Sequence, residues 1–202
     1  MKVLFICGSP RKNGNTDDVM RKVADKVAER HDVSLCHLAG EPIHGCCGCY
    51  RCRDDFDHPG CVQKDKVSEL LDRIIDADVV VYGSPHYGHS FSAEMNAFMN
   101  RHFALLKYME NEDPWANDDA EIESLVEGKE VGLIVTCQGP VENNAELLLM
   151  QFDRFCEILH FNSFGKYVFP WAPLEVEEAD WDKDGIQRVV DDIEQLSEYF
   201  HD

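Results

Sequence analysis

Val3-Leu4-Phe5-Ile6-Cys7-Gly8-Ser9-Pro10-Arg11-Lys12-Asn13-Gly14-Asn15-Thr16 is the stretch that decides the fold. An apolar run suited to a buried strand breaks into a polar, glycine-bearing loop, and apolar residues at helical spacing follow at once. Strand, loop and helix in that order are how an α/β protein builds an anion site at the carboxyl end of its first strand. Ser9, Asn13, Asn15 and Thr16 carry side-chain donors, Gly8 and Gly14 let backbone N–H groups turn inward, and Arg11 and Lys12 add positive charge. A helix starting near Asn15 contributes the positive end of its dipole. No Gly-Lys-Ser/Thr closes the loop and no Gly-x-Gly-x-x-Gly spacing occurs, so a phosphate monoester fits it better than a triphosphate.

Working outward, Val19, Met20, Val23, Val27 and Ala28 predict a crossover helix over 17–30, and 33–38 alternates like a half-buried edge strand. Helical spacing returns over 66–75, and 77–82 is apolar enough for a parallel strand buried on both faces. Residues 83–92 read as the following loop. Ser90 or Ser92 can then cap a long helix running through Met95, Phe98, Met99, Phe103 and Leu106. The acidic stretch 110–127 reads as an insertion, because the same alternation resumes after it: a strand over 131–136, a helix over 145–159, a strand over 163–169 and a closing helix over 183–200. Five strands alternating with helices imply a doubly wound parallel sheet of order 2-1-3-4-5. Its reversal point lies between the first and third strands, so the loops after strands one, three and four converge on one crevice.

With a phosphate at one end of that crevice and an aromatic, glycine-bearing loop at the other, the site suits FMN. Pro85, His86, Tyr87 and Gly88 form the loop for the flavin ring, and Gln138 and Gly139 approach from the fourth strand. Backbone amides near Gly88 and Gly139 can reach the polar edge of the ring without a Cβ in the way. The flavin N5 carries the redox chemistry, so no side chain has to act as acid or base, although His86 or Tyr87 can deliver a proton.

The stretch 39–61 has no periodicity and holds five of the nine cysteines. Cys46, Cys49 and Cys52 stand three apart, the pitch that wraps a cubane iron–sulfur cluster, and Cys61 supplies a fourth thiolate. Cys47 falls out of that register, and Cys47 in place of Cys46 is an alternative ligand. A closed tetrahedral zinc site and free, redox-active thiols are the competing readings of the loop, and the tight spacing speaks against zinc. His44 and His58 read as exposed loop residues, and Cys7, Cys36, Cys137 and Cys156 as small core residues.

Length and charge bound these readings. At 202 residues the chain can bury a substantial core, and it reads as one unit with a cysteine loop at 44–61. A formal charge of -20 opposes nucleic acid and anionic membrane as partners. No apolar window is long enough to span a bilayer, and Met1-Lys2 leads directly into a strand, so the expected location is cytoplasmic. Nine cysteines without an export signal point to thiol or metal chemistry rather than disulfides.

The GSPRKNGNT loop, the cysteine loop, ADVVVYGSPHYG and VTCQGP together resemble the NADPH-dependent FMN reductase-like superfamily of the flavodoxin-like fold. The three-cysteine element is similar to that of its iron–sulfur flavoproteins. The resemblance implies a homo-oligomer, dimer or tetramer, carrying FMN and a 4Fe-4S cluster, with Cys46, Cys49, Cys52 and Cys61 as cluster ligands. Ser9, Arg11, Asn13, Asn15 and Thr16 match the phosphate loop of the family, and Pro85, His86, Tyr87 and Gly88 its flavin-ring loop. The expected activity is a flavin-dependent oxidoreductase taking electrons from NAD(P)H or ferredoxin and passing them to a small acceptor. A non-catalytic electron carrier is the alternative from another class.

Overall fold

The computed structural model describes residues 1–40, 42–53, 55–108 and 122–200. Five parallel strands form the central sheet: β1 (Lys2–Cys7), β2 (Asp32–His37), β3 (Val79–Pro85), β6 (Glu130–Thr136) and β7 (Asn162–Phe169), in the order β2-β1-β3-β6-β7. Counted among the five sheet strands, this is the 2-1-3-4-5 order expected from the sequence. The intervening β4 (Leu106–Lys107) and β5 (Glu123–Ser124) make a separate two-residue antiparallel ribbon. The ribbon takes in the end of the acidic insertion expected at 110–127, of which residues 110–121 lie outside the described residues.

Helices α1 (Asn15–Val27) and α5 (Lys183–Leu196) cover one face of the sheet. The other face carries α2 (Val67–Asp76), α3 (Ala93–Asn100) and α4 (Glu146–Leu159). Alternation along β1 divides the two cores: Val3, Phe5 and Cys7 pack towards α1, Leu4 and Ile6 towards α2 and α3. All seven residues of β3 are buried, as expected of a strand covered on both sides.

Several boundaries differ from the sequence expectation, and three of the differences bear on the site or the ends of the fold. β3 runs on to Pro85, because Gly83, Ser84 and Pro85 pair with Ile134, Val135 and Thr136 of β6 and extend the ladder beyond the apolar run. The long helix expected from Ser92 to Leu106 stops at Asn100 and tightens into a 3-10 helix over Arg101–Leu105, which turns Arg101 and His102 inward. The closing helix ends at Leu196 and continues only as a 3-10 turn over Ser197–Tyr199. Cys7, Cys137 and Cys156 are buried as core residues, whereas Cys36 is half-buried with its Sγ 2.5 Å from Arg73 Nη1.

Ser92 caps α3 by accepting a hydrogen bond from Met95 N–H, and its hydroxyl donates to the carbonyl of Gly8. The start of the phosphate-type loop is thereby fastened to α3. A Cβ at Gly8 would stand 2.7 Å from Met95 Cβ, an atom that moves only with its backbone. Gly8→Ala is therefore expected to cost about 1–3 kcal/mol through overpacking. Urea denaturation reads this as a lower midpoint with the slope retained, and an unchanged midpoint would mean that α3 does not bear on the loop.

Candidate functional site

A cavity of about 560 Å³ lies at the carboxyl edge of the sheet. It is lined by Ser9, Arg11, Asn15 and Thr16 after β1, by Pro85, His86 and Tyr87 at β3, and by Thr136, Cys137, Gln138 and Gly139 at β6, with Asn144 beyond them. Ala172, Pro173 and Leu174 after β7 close its far side. Every residue expected to hold the flavin is in this wall except Asn13 and Gly88. Both are exposed, with positive φ, and Asn13 turns its N–H to Asp17 Oδ2.

Hydrogen bonds fix the wall. Thr16 Oγ1 and Thr136 Oγ1 share one at 2.7 Å, Asn15 Nδ2 donates to the carbonyl of Pro173 at 2.6 Å, and His86 N–H donates to the carbonyl of Thr136. The Pro170-Trp171-Ala172-Pro173-Leu174 segment was not singled out from the sequence. Its signal was positional, a loop at the carboxyl end of the last strand, where open parallel sheets bind ligands.

The cavity suits an anionic, polar ligand. Gly14 stands at the N-cap of helix α1 and brings no capping side chain, so the first-turn N–H groups receive no side-chain oxygen there. The first-turn acids do not cancel this positive end. Asp17 is paired with Arg21 at 3.0 Å, and Asp18 with Lys22 at 2.5 Å and with the Trp181 indole N–H at 2.6 Å. Two wall residues also carry a buried polar atom without a partner, Asn15 Oδ1 and His86 Nε2. Such atoms are costly unless a ligand or water satisfies them. Burial lowers the His86 imidazole below its usual pKa, so it is neutral at pH 7.

The cysteine loop forms a second site beside the 3-10 helix and the short ribbon. Two buried cations pin it. Arg101 donates through Nη1 to the His44 carbonyl at 2.9 Å and to Asp65 Oδ2 at 2.6 Å, and through Nη2 to Cys61 Sγ at 3.2 Å. Lys107 Nζ reaches the carbonyls of Cys52, His58 and Pro59. Neither residue was picked out from the sequence, since a lone Arg or Lys in a helical stretch carries no mark of its burial.

Cys46 and Cys52 line a cleft of about 280 Å³ with Tyr50, Arg53, Phe103 and Tyr108. Burial raises the Cys52 thiol pKa, and the nearby Cys61 and Cys46 add to that rise. Cys49 is exposed: the backbone of Arg51 and then the Cys47 side chain hydrogen-bond to it and lower its pKa. His44 and His58 are exposed, as expected. Among the described residues no three of these loop thiols come within 4.8 Å of one another.

The model of the family described as NADPH-dependent FMN reductase matches residues 1–171. The chain belongs to the NADPH-dependent FMN reductase family. Relatives of this family member include an iron-sulfur flavoprotein of Methanocaldococcus jannaschii, 34% identical over 102 residues, which are 50% of this chain and 51% of that protein. An iron-sulfur flavoprotein of Methanosarcina thermophila is 29% identical over 107 residues, 52% of this chain and 54% of the other. The chain thus spans about half the length of the curated relatives it matches. Among solved structures, an FMN-dependent NADH-azoreductase from Bacillus anthracis in complex with FMN superposes with a TM-score of 0.62 at 12% identity, covering 100% of both chains. The apo form of the NADH:FMN oxidoreductase EMOB superposes with a TM-score of 0.59 at 16% identity, covering 96% of this chain and 87% of the other. At these identities the superpositions establish the flavodoxin-like fold of this chain. No helix among its described residues is long and apolar enough to cross a membrane.

Proposed function

We propose that this FMN reductase family member is a flavin-dependent oxidoreductase that holds FMN in the carboxyl-edge cavity and a 4Fe-4S cluster in the cysteine loop. Electrons come from NAD(P)H or ferredoxin and leave to a small acceptor. The observation that carries the reading is the cavity wall itself: an uncapped helix start, a ring of short polar side chains and two unpartnered buried polar atoms. When bound, FMN supplies one- and two-electron chemistry at its isoalloxazine ring and the cluster exchanges single electrons.

The residues divide the work. The first-turn N–H groups of α1, with Ser9, Arg11 and Thr16, hold the phosphate. Asn15, tied to Pro173, keeps the loop after β7 against the loop after β1. His86 is neutral and can hold or pass a proton at its ring nitrogen, and Tyr87, exposed at the rim, offers a ring face and a hydroxyl. In the cysteine loop Cys46, Cys49, Cys52 and Cys61 are the ligands, and Arg101 and Lys107 offset the charge of gathered thiolates. The close spacing of Cys46, Cys49 and Cys52, three residues apart, suits a multi-iron group better than a zinc ion, whose sites usually pair two Cys-x-x-Cys units across a longer stretch.

Anaerobic purification followed by FMN, iron, zinc and acid-labile sulfide analysis tests both halves. The expected protein carries FMN together with iron and sulfide in equal amounts, and it oxidises NAD(P)H with a quinone as acceptor. Cys52→Ala should lose the iron and sulfide while keeping the FMN. Stoichiometric zinc without iron would overturn the cluster, and a colourless protein with no affinity for FMN would overturn the flavin site.

A further inference from the structure

Behind the phosphate-type loop and outside the lining of both proposed sites, Cys7, Asp17 and His37 each offer a ligand atom, and the three atoms lie within 4.8 Å of one another. No other trio of His, Cys, Asp or Glu among the described residues meets that condition. The fold brings them together from three elements. Cys7 and His37 are register partners at the carboxyl ends of β1 and β2, and Asp17 sits in the first turn of α1 above them. Cys7 and Asp17 are fully buried, and the His37 side chain is 15% exposed.

The contacts are those of a ligand set rather than a finished polar network. Asp17 Oδ1 is 3.1 Å from His37 Nε2, yet no hydrogen bond reaches it, and it is buried without a partner. His37 Nδ1 is buried and unpartnered as well. The other carboxylate oxygen is satisfied: Asp17 Oδ2 accepts from Asn13 N–H at 2.8 Å and from Arg21 Nε at 3.0 Å. One oxygen is therefore oriented by the protein and the other is left over, as in a carboxylate held ready for a metal. The separation of 3.1 Å is close to the roughly 3.3 Å edge of a tetrahedron with about 2.0 Å bonds.

We propose that Cys7, Asp17 and His37 form a binding site for a borderline-soft divalent cation of the zinc class. One thiolate, one imidazole and one carboxylate suit such an ion, and a fourth position remains for water from the exposed side of His37. Binding forms one bond each to sulfur, nitrogen and oxygen, and the Cys7 thiol proton passes to solvent. The two anionic ligands balance the charge of the ion. Arg21 Nη2 lies 3.3 Å from His37 Nε2 and is the group the ion displaces. The Arg21 side chain is half exposed and can swing outward, keeping its Nε contact with Asp17. Because Asp17 Oδ2 holds the Asn13 N–H, an ion on Oδ1 would also fix the phosphate-type loop. The site does not depend on the flavin or cluster assignments.

The test uses the full chain as purified, its cysteine loop intact. Crystals equilibrated with zinc are measured on either side of the zinc absorption edge, so that the anomalous peak locates the ion independently of any bound at the loop. A peak enclosed by Cys7, Asp17 and His37 is expected. In solution, zinc titration should show, beyond any ion taken up by the loop thiols, one further ion per chain that His37→Gln weakens by more than the 10–100-fold typical of losing an outer-shell partner. Arg21→Met should instead tighten it by about tenfold or more, because a competing positive charge has gone. A merely structural role for the trio would not produce these opposite shifts. No peak between the three residues at millimolar zinc, or a peak with affinity unchanged in both folded variants, overturns the proposal.

Discussion

Arg101→Met is expected to destabilise the protein by about 3–5 kcal/mol, the cost of removing one partner from a buried ion pair. The Arg101 side chain is 1% exposed and that of its partner Asp65 is 6% exposed. Against burial, which alone would raise it, Arg101 holds the Asp65 carboxyl below its usual pKa range. With the guanidinium gone, the largely buried Asp65 carboxylate keeps only backbone donors such as Val67 N–H, and the His44 carbonyl and Cys61 thiol lose their donor. The cysteine loop should then detach, so bound iron is expected to fall together with stability. Arg101→Lys should rescue only part of both, since an ammonium cannot serve carboxylate, carbonyl and thiol from one planar fork. Arg101→Met with Asp65→Leu should recover much of the stability but not the iron. Chemical denaturation and iron analysis check each step, and a loss below about 1 kcal/mol would show that the pair is not buried in solution.

The second large effect is a loss of stability on mild acidification, centred on His102. Burial lowers its pKa to about 4, and the side chain is enclosed by the rings of Phe98, Phe155 and Tyr82. The neutral ring suits its neighbours: Nδ1–H donates to the Phe98 carbonyl at 3.1 Å and Nε2 accepts from Tyr82 O–H at 3.0 Å. In the unfolded chain the same histidine titrates near 6.5. Between those two values the unfolded state binds more protons, so the contribution is complete above pH 6.5 and is lost as pH falls towards 4. The loss should reach about 2 kcal/mol at pH 5 and about 3 kcal/mol by pH 4. Denaturation midpoints across this range should fall steeply for the natural protein and less steeply for His102→Asn. Parallel slopes in the two proteins would remove His102 as the cause. Because His102 adjoins Arg101 on the 3-10 helix, acidification should also loosen the cysteine loop.

The order of the sheet was legible because each strand announces itself: a run such as Val79-Val80-Val81 tolerates burial on both faces, and the glycine-bearing loop after Cys7 can only lead into a covering helix. The phosphate-loop and ring-loop residues could be placed in one crevice because parallel strands put all their carboxyl ends at the same edge. Thr136 is placed at the crevice by its position at the end of the fourth strand, whereas Asn144 and the 172–174 segment enter the wall through long-range hydrogen bonds that leave no local pattern. The helix expected to reach Leu106 stopped at Asn100 for a similar reason. Propensity alone would extend it, but Arg101 finds its partners in the cysteine loop and at Asp65, and the backbone tightens where that side chain turns in.

Sequence by itself therefore determined the strand order, the crevice and the spacing of the loop cysteines, because hydrophobic period and turn chemistry are local properties. Tertiary structure alone decided which charges are buried. Arg101 and Lys107 look like surface residues until the loop folds over them, and Cys7 looks like core filler until β2 and α1 bring His37 and Asp17 beside it. Burial and proximity between distant residues set the energy of a charge, and neither is written in any one stretch of chain.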